Sequence, residues 1–436
     1  MNGSGLSTEA LVAVVMADIA AILLLGAVLG KVARRLGQPP VMGEIVAGVA
    51  LGPSLLGLLP GNPTHILFPV EARPLLSAVS QVGLLLFMFG VGWELDARLI
   101  KGFGKVAAGV SVGSIGLAFG LGVGLATFLY DAHALVGGRQ VPYAAFVLFL
   151  GAAMSVTAFP VLARILHEHR MTNTRIGVLA LASAAVDDVL AWCLLALVTM
   201  VATAGGSEDL LRLLTLTLLY AAAMLLVVRP LLTRFVRFSL RPGRPSALLA
   251  VIVAGVLLSS CVTAWIGIHP IFGAFAFGVI MPREPGDELF EVVRRPLQHM
   301  SAILLPVFFI VTGLGVNVGS LGGAGLLELT AIVLVAVAGK LLGSVIPGRL
   351  FGLSWREAAT LGVLVNTRGL TEIVMLTAGV SLGVLDDRLF TMMVLMALIT
   401  TMMAGPLLPK RPHAEPVGIR PLSRKEMRMT ETADRS

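Results

Sequence analysis

The sequence predicts an all-α polytopic membrane protein with about thirteen transmembrane helices. Three observations lead there. Of the 436 residues, 57% are hydrophobic and only 13% charged, with a mean hydropathy of +0.93, far from the composition of soluble domains. Apolar runs of span length recur along the chain, separated by short basic or Gly/Pro-rich links. The 49 glycines suit helices that approach closely through small residues, because lipid supplies no hydrophobic drive for their association. That pattern points to a helical bundle rather than a barrel.

The runs follow in order. The first covers Thr8 to Gly30, and the second, Pro40 to Leu59, is interrupted by Gly52-Pro53. The third is Leu75 to Gly92 and the fourth Phe103 to Tyr130. A fifth, Pro142 to Leu166, carries Pro160 in mid-run, and the sixth, Thr174 to Thr203, holds Asp187-Asp188 near its midpoint. A seventh, Leu210 to Arg237, precedes a basic link. Then come Pro245 to Ile268, the short Pro270 to Met281, Pro296 to Val316, Gly325 to Pro347, Arg356 to Gly379 and Asp387 to Leu408. His269-Pro270 marks the turn between the eighth and ninth runs. The polar, basic stretch 409–436 reads as a disordered cytoplasmic tail. The amino-terminal Met-Asn-Gly-Ser-Gly has no basic region of a cleaved signal, so the first run is expected to remain as a span with no soluble domain before it.

A formal charge of +7 and a pI near 9.9 raise the question of nucleic acid, but the charges have a topological explanation. With the N-terminus outside, alternate links carry Lys31, Arg34 and Arg35; Arg98, Lys101 and Lys105; Arg164, Arg170 and Arg175; Arg229 to Arg244; Arg283, Arg294 and Arg295; and Arg349 and Arg356. The opposite links hold only Arg73, Arg139, Arg212 and Arg388. The excess of cations on one side predicts an N-out, C-in protein of the cytoplasmic membrane and no nucleic-acid partner. Cys193 and Cys261 lie in apolar runs and read as small buried hydrophobes, with no disulfide framework. Six spans, one linker span and six further spans give the halves opposite orientations, the layout of an inverted repeat. Runs five and twelve, with breaks at Thr157-Ala158-Phe159-Pro160 and Asn366-Thr367-Arg368-Gly369, occupy comparable places in the halves.

The chemistry starts from Asp187 and Asp188. A charged side chain at the centre of a span costs roughly 2.5 to 3.5 kcal/mol, so the pair asks for about 5 to 7 unless paired or protonated. The same dipeptide at Asp386-Asp387 borders a span and reads as a hydrated terminus. Desolvation beside a like charge brings a carboxyl's titration toward neutral pH, where protons and cations compete for it. Lys340 lies some seven residues from the end of its span; it either snorkels to the interface or pairs with one Asp and leaves the other to alternate between a proton and a cation. Ser155 and Thr157 precede the Pro160 break, where freed carbonyls and hydroxyls are oxygen ligands suited to Na+ or K+; a plain proline kink is the competing reading. Arg368 and Glu372 are spaced to neutralise each other on one helical face, and a cation there also offsets the partial charge of facing half-helix ends. Glu44 and Gln81 read as interface or helix–helix groups. No Walker loop, zinc-spaced cluster or nucleotide fingerprint stands out, so no cofactor and no enzymatic activity are expected, and energy would come from ion gradients.

Five ordered segments carry a family resemblance: Gly43-Glu44-Ile45-Val46-Ala47-Gly48 with Leu51-Gly52-Pro53-Ser54, Ser155 to Leu166, Ala185-Val186-Asp187-Asp188, Gly339-Lys340, and Asn366 to Glu372. Together they resemble the monovalent cation/proton antiporter superfamily, in the branch of bacterial Na+/H+ exchangers, potassium efflux systems and plant cation/H+ exchangers. The resemblance implies an NhaA-like fold with two crossed discontinuous helices, a homodimer, and a core moving as an elevator. It makes Asp188 the ion-binding and proton-carrying acid, places Asp187 beside it paired to Lys340, and sets Thr157 at the crossing. The full Asp pair favours members associated with electrogenic exchange, and the short tail weakens the potassium-efflux reading.

The expectation is therefore a secondary active antiporter exchanging Na+ or K+ for protons. Asp188, Asp187, Thr157 and Ser155 would bind ions or protons, Asp188 and Thr157 would hold the cation, and Lys340, Arg368 and Glu372 would compensate charge. The membrane domain spans residues 1–408, with core helices at 75–203 and 296–408 and scaffold helices at 8–59 and 210–281. Competing readings are a sodium-coupled symporter for an organic solute on the same fold and a non-transporting, ion-responsive membrane sensor.

Overall fold

The computed structural model describes residues 7–61, 63–94, 105–169, 171, 174–203, 207–240, 246–284 and 286–408. The tail at 409–436 and the cations Arg98, Lys101, Arg170, Arg241 and Arg244 of the sequence reading lie outside the described residues.

All thirteen predicted runs fold as helix. We label them α1 (Thr8–Arg35), α2 (Pro40–Leu51), α3 (Arg73–Glu94) and α4 (Lys105–His133). The fifth run splits into α5 (Tyr143–Ser155) and α6 (Phe159–Glu168), and the sixth is α7 (Arg175–Thr203). The seventh comprises α8 (Ser207–Ala223) and α9 (Arg229–Ser239), joined by a π-helical turn at Met224–Val228. There follow α10 (Ser246–Ile266), α11 (Pro270–Ile280), α12 (Arg295–Leu314) and α13 (Gly322–Leu350). The twelfth run splits into α14 (Trp355–Val365) and α15 (Leu370–Ser381), and α16 (Asp387–Leu407) closes the chain. Among the described residues ten helical runs are long and apolar enough to cross a bilayer, and the pair α14/α15, bent by 42°, makes an eleventh. The other two predicted spans are short: α5 has 13 residues before its break and α11 has 11. One element escaped the all-helical expectation, a hairpin pairing Leu135–Val136 with Arg139–Gln140. Gly137 and Gly138, at φ of 57° and 78°, supply its two left-handed turn positions.

The helices form two packed groups. In one, α4 lies against α5 and α13, α7 against α4, α5 and α14, and α16 against α13 and α15. In the other, α3 packs on α11 and α12, α12 on α1 and α2, and α10 on α11. The sequence reading took 75–203 and 296–408 as one group; in the structure α3 and α12 pack with α1, α2 and α11. Spacing along a chain orders helices without choosing their neighbours. Ser54 joins the end of α2 to that of α12, donating to Val316 O at 2.7 Å and accepting from Val318 N–H at 3.0 Å.

The inverted repeat has a sequence signature beyond span spacing. Gly-x-x-Pro-x-x-Gly-x-x-x-x-Gly-Val occurs at 37–49 and again at 267–279, and Gly-x-x-x-Gly-Ser at 109–114 and again at 339–344, with the same displacement each time. The copies do matching work. A Cβ on Gly43 would sit 2.4 Å from Leu29 O of the preceding helix, and one on Gly273 would sit 2.3 Å from Ser259 O. Gly48 likewise abuts Ile310 O of α12, and Gly278 abuts Phe89 O of α3. Small residues thus let α2 and α11 thread between two helices each.

Two expectations are corrected, for the cysteines and for Asp386, while His269 stands at the turn expected of it. Cys193 and Cys261 are exposed on the outer surface of the bundle, where a thiol on an apolar helix needs no partner. His269 caps α11, accepting from Ile271 N–H at 3.4 Å. Asp386 is not a simple hydrated terminus: it accepts from Leu389 N–H at 2.7 Å to cap α16, and its other oxygen lies 2.7 Å from Nδ1 of buried His133. Glu328 approaches the far side of that ring at 3.4 Å and also Arg388 at 3.4 Å, so ionic contacts tie α4, α13 and α16 together at one end.

Gly43→Leu and Gly273→Leu should each destabilise the detergent-solubilised chain by at least about 1–3 kcal/mol and by similar amounts, read as thermal unfolding. Gly116→Leu, whose Cβ meets nothing within 4 Å, should leave the transition in place.

Candidate functional site

The fifth and twelfth runs break because their residues cannot continue a helix. Pro160 falls in the first turn of α6, where its missing N–H costs nothing but ends the ladder from α5. At the other break a Cβ on Gly369 would lie 2.4 Å from Val161 Cγ2, so only glycine lets the two broken helices cross this closely. The freed backbone groups find partners in each other. Ala158 N–H donates to Thr367 O at 3.1 Å, and the Thr157 hydroxyl reaches Val365 O at 2.9 Å. Arg368 is held by Thr401 of α16, whose hydroxyl accepts from Arg368 N–H at 2.9 Å and lies 2.7 Å from its carbonyl oxygen.

Arg368 is fully buried. Its guanidinium donates to Ala153 O at 2.9 Å, to Met154 O at 2.6 Å and to Glu372 Oε1 at 3.0 Å. Both roles anticipated for it are present: it pairs with Glu372 and caps the carbonyl end of α5, where the helix dipole places partial negative charge. Asn366 Oδ1 and Glu372 Oε2 are buried without a hydrogen-bond partner among the described residues.

The second cluster centres on Asp187 of α7, which is buried to 1% exposure. Lys340, fully buried on α13, donates to Asp187 Oδ2 at 3.1 Å, to Thr157 Oγ1 at 2.8 Å and to Ser114 Oγ at 3.2 Å. An ammonium has three donors and no acceptor, so these partners satisfy it. Oδ2 also lies 2.7 Å from the Thr157 hydroxyl, and Oδ1 accepts from Ser111 at 2.7 Å. Lys340 therefore does not snorkel. It reaches this depth because α4 and α13 touch backbone to backbone: a Cβ on Gly343 would sit 2.6 Å from Gly113 O, and one on Gly339 would sit 2.8 Å from Ala118 Cα.

The sequence-derived residues are thus brought together with one exception and one omission. Ser155 is buried, but its hydroxyl turns back to Ala152 O at 2.8 Å on its own helix, the usual satisfaction of a helical serine in an apolar place. Asp188 follows Asp187 one helical step, about 100°, further round α7; its side chain lies outside the described residues. The Thr157 oxygen is already engaged by Lys340, Asp187 and Val365, so a cation taking it as a ligand displaces one of them. Ser111, Ser114 and Thr401 were not anticipated. The repeated Gly-x-x-x-Gly-Ser pattern was the available signal for the closely packed face that carries the two serines.

Removing one member of a buried ion pair strands the other. Lys340→Ala should lower stability by about 3–5 kcal/mol. Arg368→Ala should cost a comparable amount by freeing two carbonyls and Glu372, while Arg368→Lys should recover part of it, all by thermal unfolding in detergent. Unfolding at the wild-type temperature in either alanine variant would contradict the burial of that cation.

Comparison with known proteins bears on the family and the fold. The family model described as "Sodium/hydrogen exchanger, transmembrane" matches residues 19–410. The chain is 39% identical over 398 residues to the Na+/H+ antiporter NhaS4 of Synechocystis, covering 91% of this chain and 96% of that protein. It is 40% identical to cation/H+ antiporter 20 of Arabidopsis thaliana and 35% identical to K+/H+ antiporter 1 of Saccharomyces cerevisiae. These matches cover 86% and 85% of this chain but only 45% and 43% of those longer proteins. In fold, it is similar to the sodium proton antiporter MjNhaP1 of Methanocaldococcus jannaschii, with a TM-score of 0.61 at 16% identity over 91% of this chain and 96% of that one. The family match over nearly the whole membrane part, together with two crossed broken helices meeting at a buried acid, leads to one conclusion: the chain belongs to the transmembrane sodium/hydrogen exchanger family of monovalent cation:proton antiporters.

Proposed function

We propose that this protein is a secondary active antiporter of the cytoplasmic membrane that exchanges Na+ or K+ for protons by competition at Asp188. The observation that carries the reading is the charge balance at the crossing. Lys340 is matched by Asp187 and Arg368 by Glu372, so the cations described at the site are already taken. The formal charge of Asp188 must then be met by a proton or by the transported cation, and bearing neither at this depth is costly. Thr157, bonded to the neighbouring Asp187, and Oδ1 of Asn366, without a partner among the described residues, are hard oxygen donors of the kind a monovalent cation needs. The relatives are named for Na+/H+ and for K+/H+ exchange, and the reading covers both cations.

Alternating access would come from a core of 105–203 and 322–407 sliding against a scaffold of the remaining helices. This boundary follows the packing of α3 and α12 and refines the one taken from span spacing. The scaffold would form the contact between two copies in a homodimer, with N-termini outside and C-termini in the cytoplasm, as the loop cations favour.

Inside-out vesicles from an antiporter-deficient host should release protons when Na+ or K+ is added, from mildly acid to mildly alkaline pH, and Asp188→Asn should abolish the response. Silence of wild-type vesicles toward Na+, K+ and Li+ would defeat the antiport reading. Full activity in Asp188→Asn would remove Asp188 as the carrier and leave the rest standing.

A further inference from the structure

Of the four tryptophans, Trp192 of α7 is the one whose buried indole N–H has no hydrogen-bond partner among the described residues. The residue is only 4% exposed. A buried tryptophan N–H normally finds an acceptor, and a donor left unmade costs about 1–3 kcal/mol. Phe would fill the same space without that cost, so packing alone does not account for an indole here. The neighbours that Trp192 has on its own helix, Ala191, Leu195 and Val198, belong with it to the main apolar cluster and offer no side-chain acceptor.

The ring is also held in place. Its centroid lies 6.4 Å from that of Phe275, the planes tilted by 34°, and Phe275 belongs to α11, which packs on α3 and α10. The contact therefore runs from one packed group of helices to the other. Asp188 precedes Trp192 by four residues and shares its face of α7. A long helical side chain leans toward the start of its helix and covers the turn before its own Cα, so the indole is directed over the turn that begins at Asp188.

We propose that Trp192 is a positioning residue of the ion site, whose N–H donates to the Asp188 carboxylate while that acid holds the cation, and so fixes the orientation in which the acid ligates it. This rests on the antiport reading with Asp188 as carrier. A carboxylate that ligates a cation keeps lone pairs for a further donor, and a hydrogen bond to an ionised group is roughly twice as strong as one to a neutral group. Groups that orient a metal ligand in this way carry about 10–100-fold of the affinity for the metal. Phe275 sets the ring, the ring sets the N–H, and the N–H sets the acid.

The test uses the full chain in liposomes, with the indole nitrogens isotopically labelled so that solid-state NMR reads each Nε1–H signal at one fixed pH. Trp93→Phe, Trp265→Phe and Trp355→Phe assign the other three signals, so that of Trp192 is identified even if Trp192→Phe does not fold. NaCl and KCl are the probes, with choline chloride as the ionic control. Na+ or K+ should move the Trp192 proton downfield, as a bond to a charged oxygen does, and leave the other three in place; Asp188→Asn should abolish the shift. In cation-driven proton transport, Trp192→Phe keeps a ring against Phe275 and removes the donor, so it should raise the KM for the cation about tenfold with the maximal rate retained. A Trp192 signal indifferent to both cations in a wild type that transports them, a shift that persists in Asp188→Asn, or an unchanged KM in Trp192→Phe would overturn the proposal and leave the antiport reading standing. A wild type that moves no cation while the Trp192 signal still responds to Na+ or K+ through Asp188 would defeat the antiport reading and leave the role of the indole intact; with neither transport nor a shift, both fall.

Discussion

The ion pair between Lys340 and Asp187 is the constraint around which the rest of the bundle is arranged. Two opposite charges taken out of water lose several kcal/mol of hydration each, and their mutual attraction offsets this only when the remaining donors and acceptors are also matched. That requirement reaches outward through the fold. Four elements must converge on one point, so α4 and α13 approach until Gly113, Gly339 and Gly343 leave no room for a side chain. The fifth span must open at Val156 to Ala158 so that Thr157 can turn its hydroxyl inward. The exposed end of α5 then needs a counter-charge, which Arg368 supplies from the other broken span.

Much of this was legible in the sequence because a bilayer admits few solutions. Span length, the breaks at Thr157 to Pro160 and at Asn366 to Gly369, and the isolation of Asp187, Lys340, Arg368 and Glu372 in apolar runs all follow from the cost of unpaired polar groups in hydrocarbon. What could not be read was which way a side chain turns. Ser155 and Ser111 are the same residue type in similar surroundings, yet one bonds its own helix and the other a carboxylate; only the neighbour's distance decides. Asp386 looked hydrated because its partner His133 is far away in sequence, across a helix pairing that periodicity does not encode. The packing of α3 and α12 with α1, α2 and α11 was hidden for the same reason. The cysteines were misread because in a membrane the apolar surroundings of a small side chain can be lipid as easily as protein.

The duplicated glycine patterns at 37–49 and 267–279 bear on how such a chain stays foldable. Each copy makes α2 or α11 short enough to thread between longer helices, and each uses its first helical glycine against the preceding helix and its second against a helix of the opposite half. The halves interlock through these reciprocal contacts rather than stacking as independent units. A substitution at either copy therefore loosens both halves.

Arg368 has a mechanical consequence. Its backbone belongs to the break between α14 and α15, its side chain grips the last turn of α5, and Thr401 holds its peptide to α16. The two broken spans are therefore stapled to each other and to a third helix. Neither can unwind alone to admit an ion from its own side without tearing charged hydrogen bonds out of a dry interior. The crossing therefore holds together as one piece: a shift of either break pulls on the other and on α16 with it.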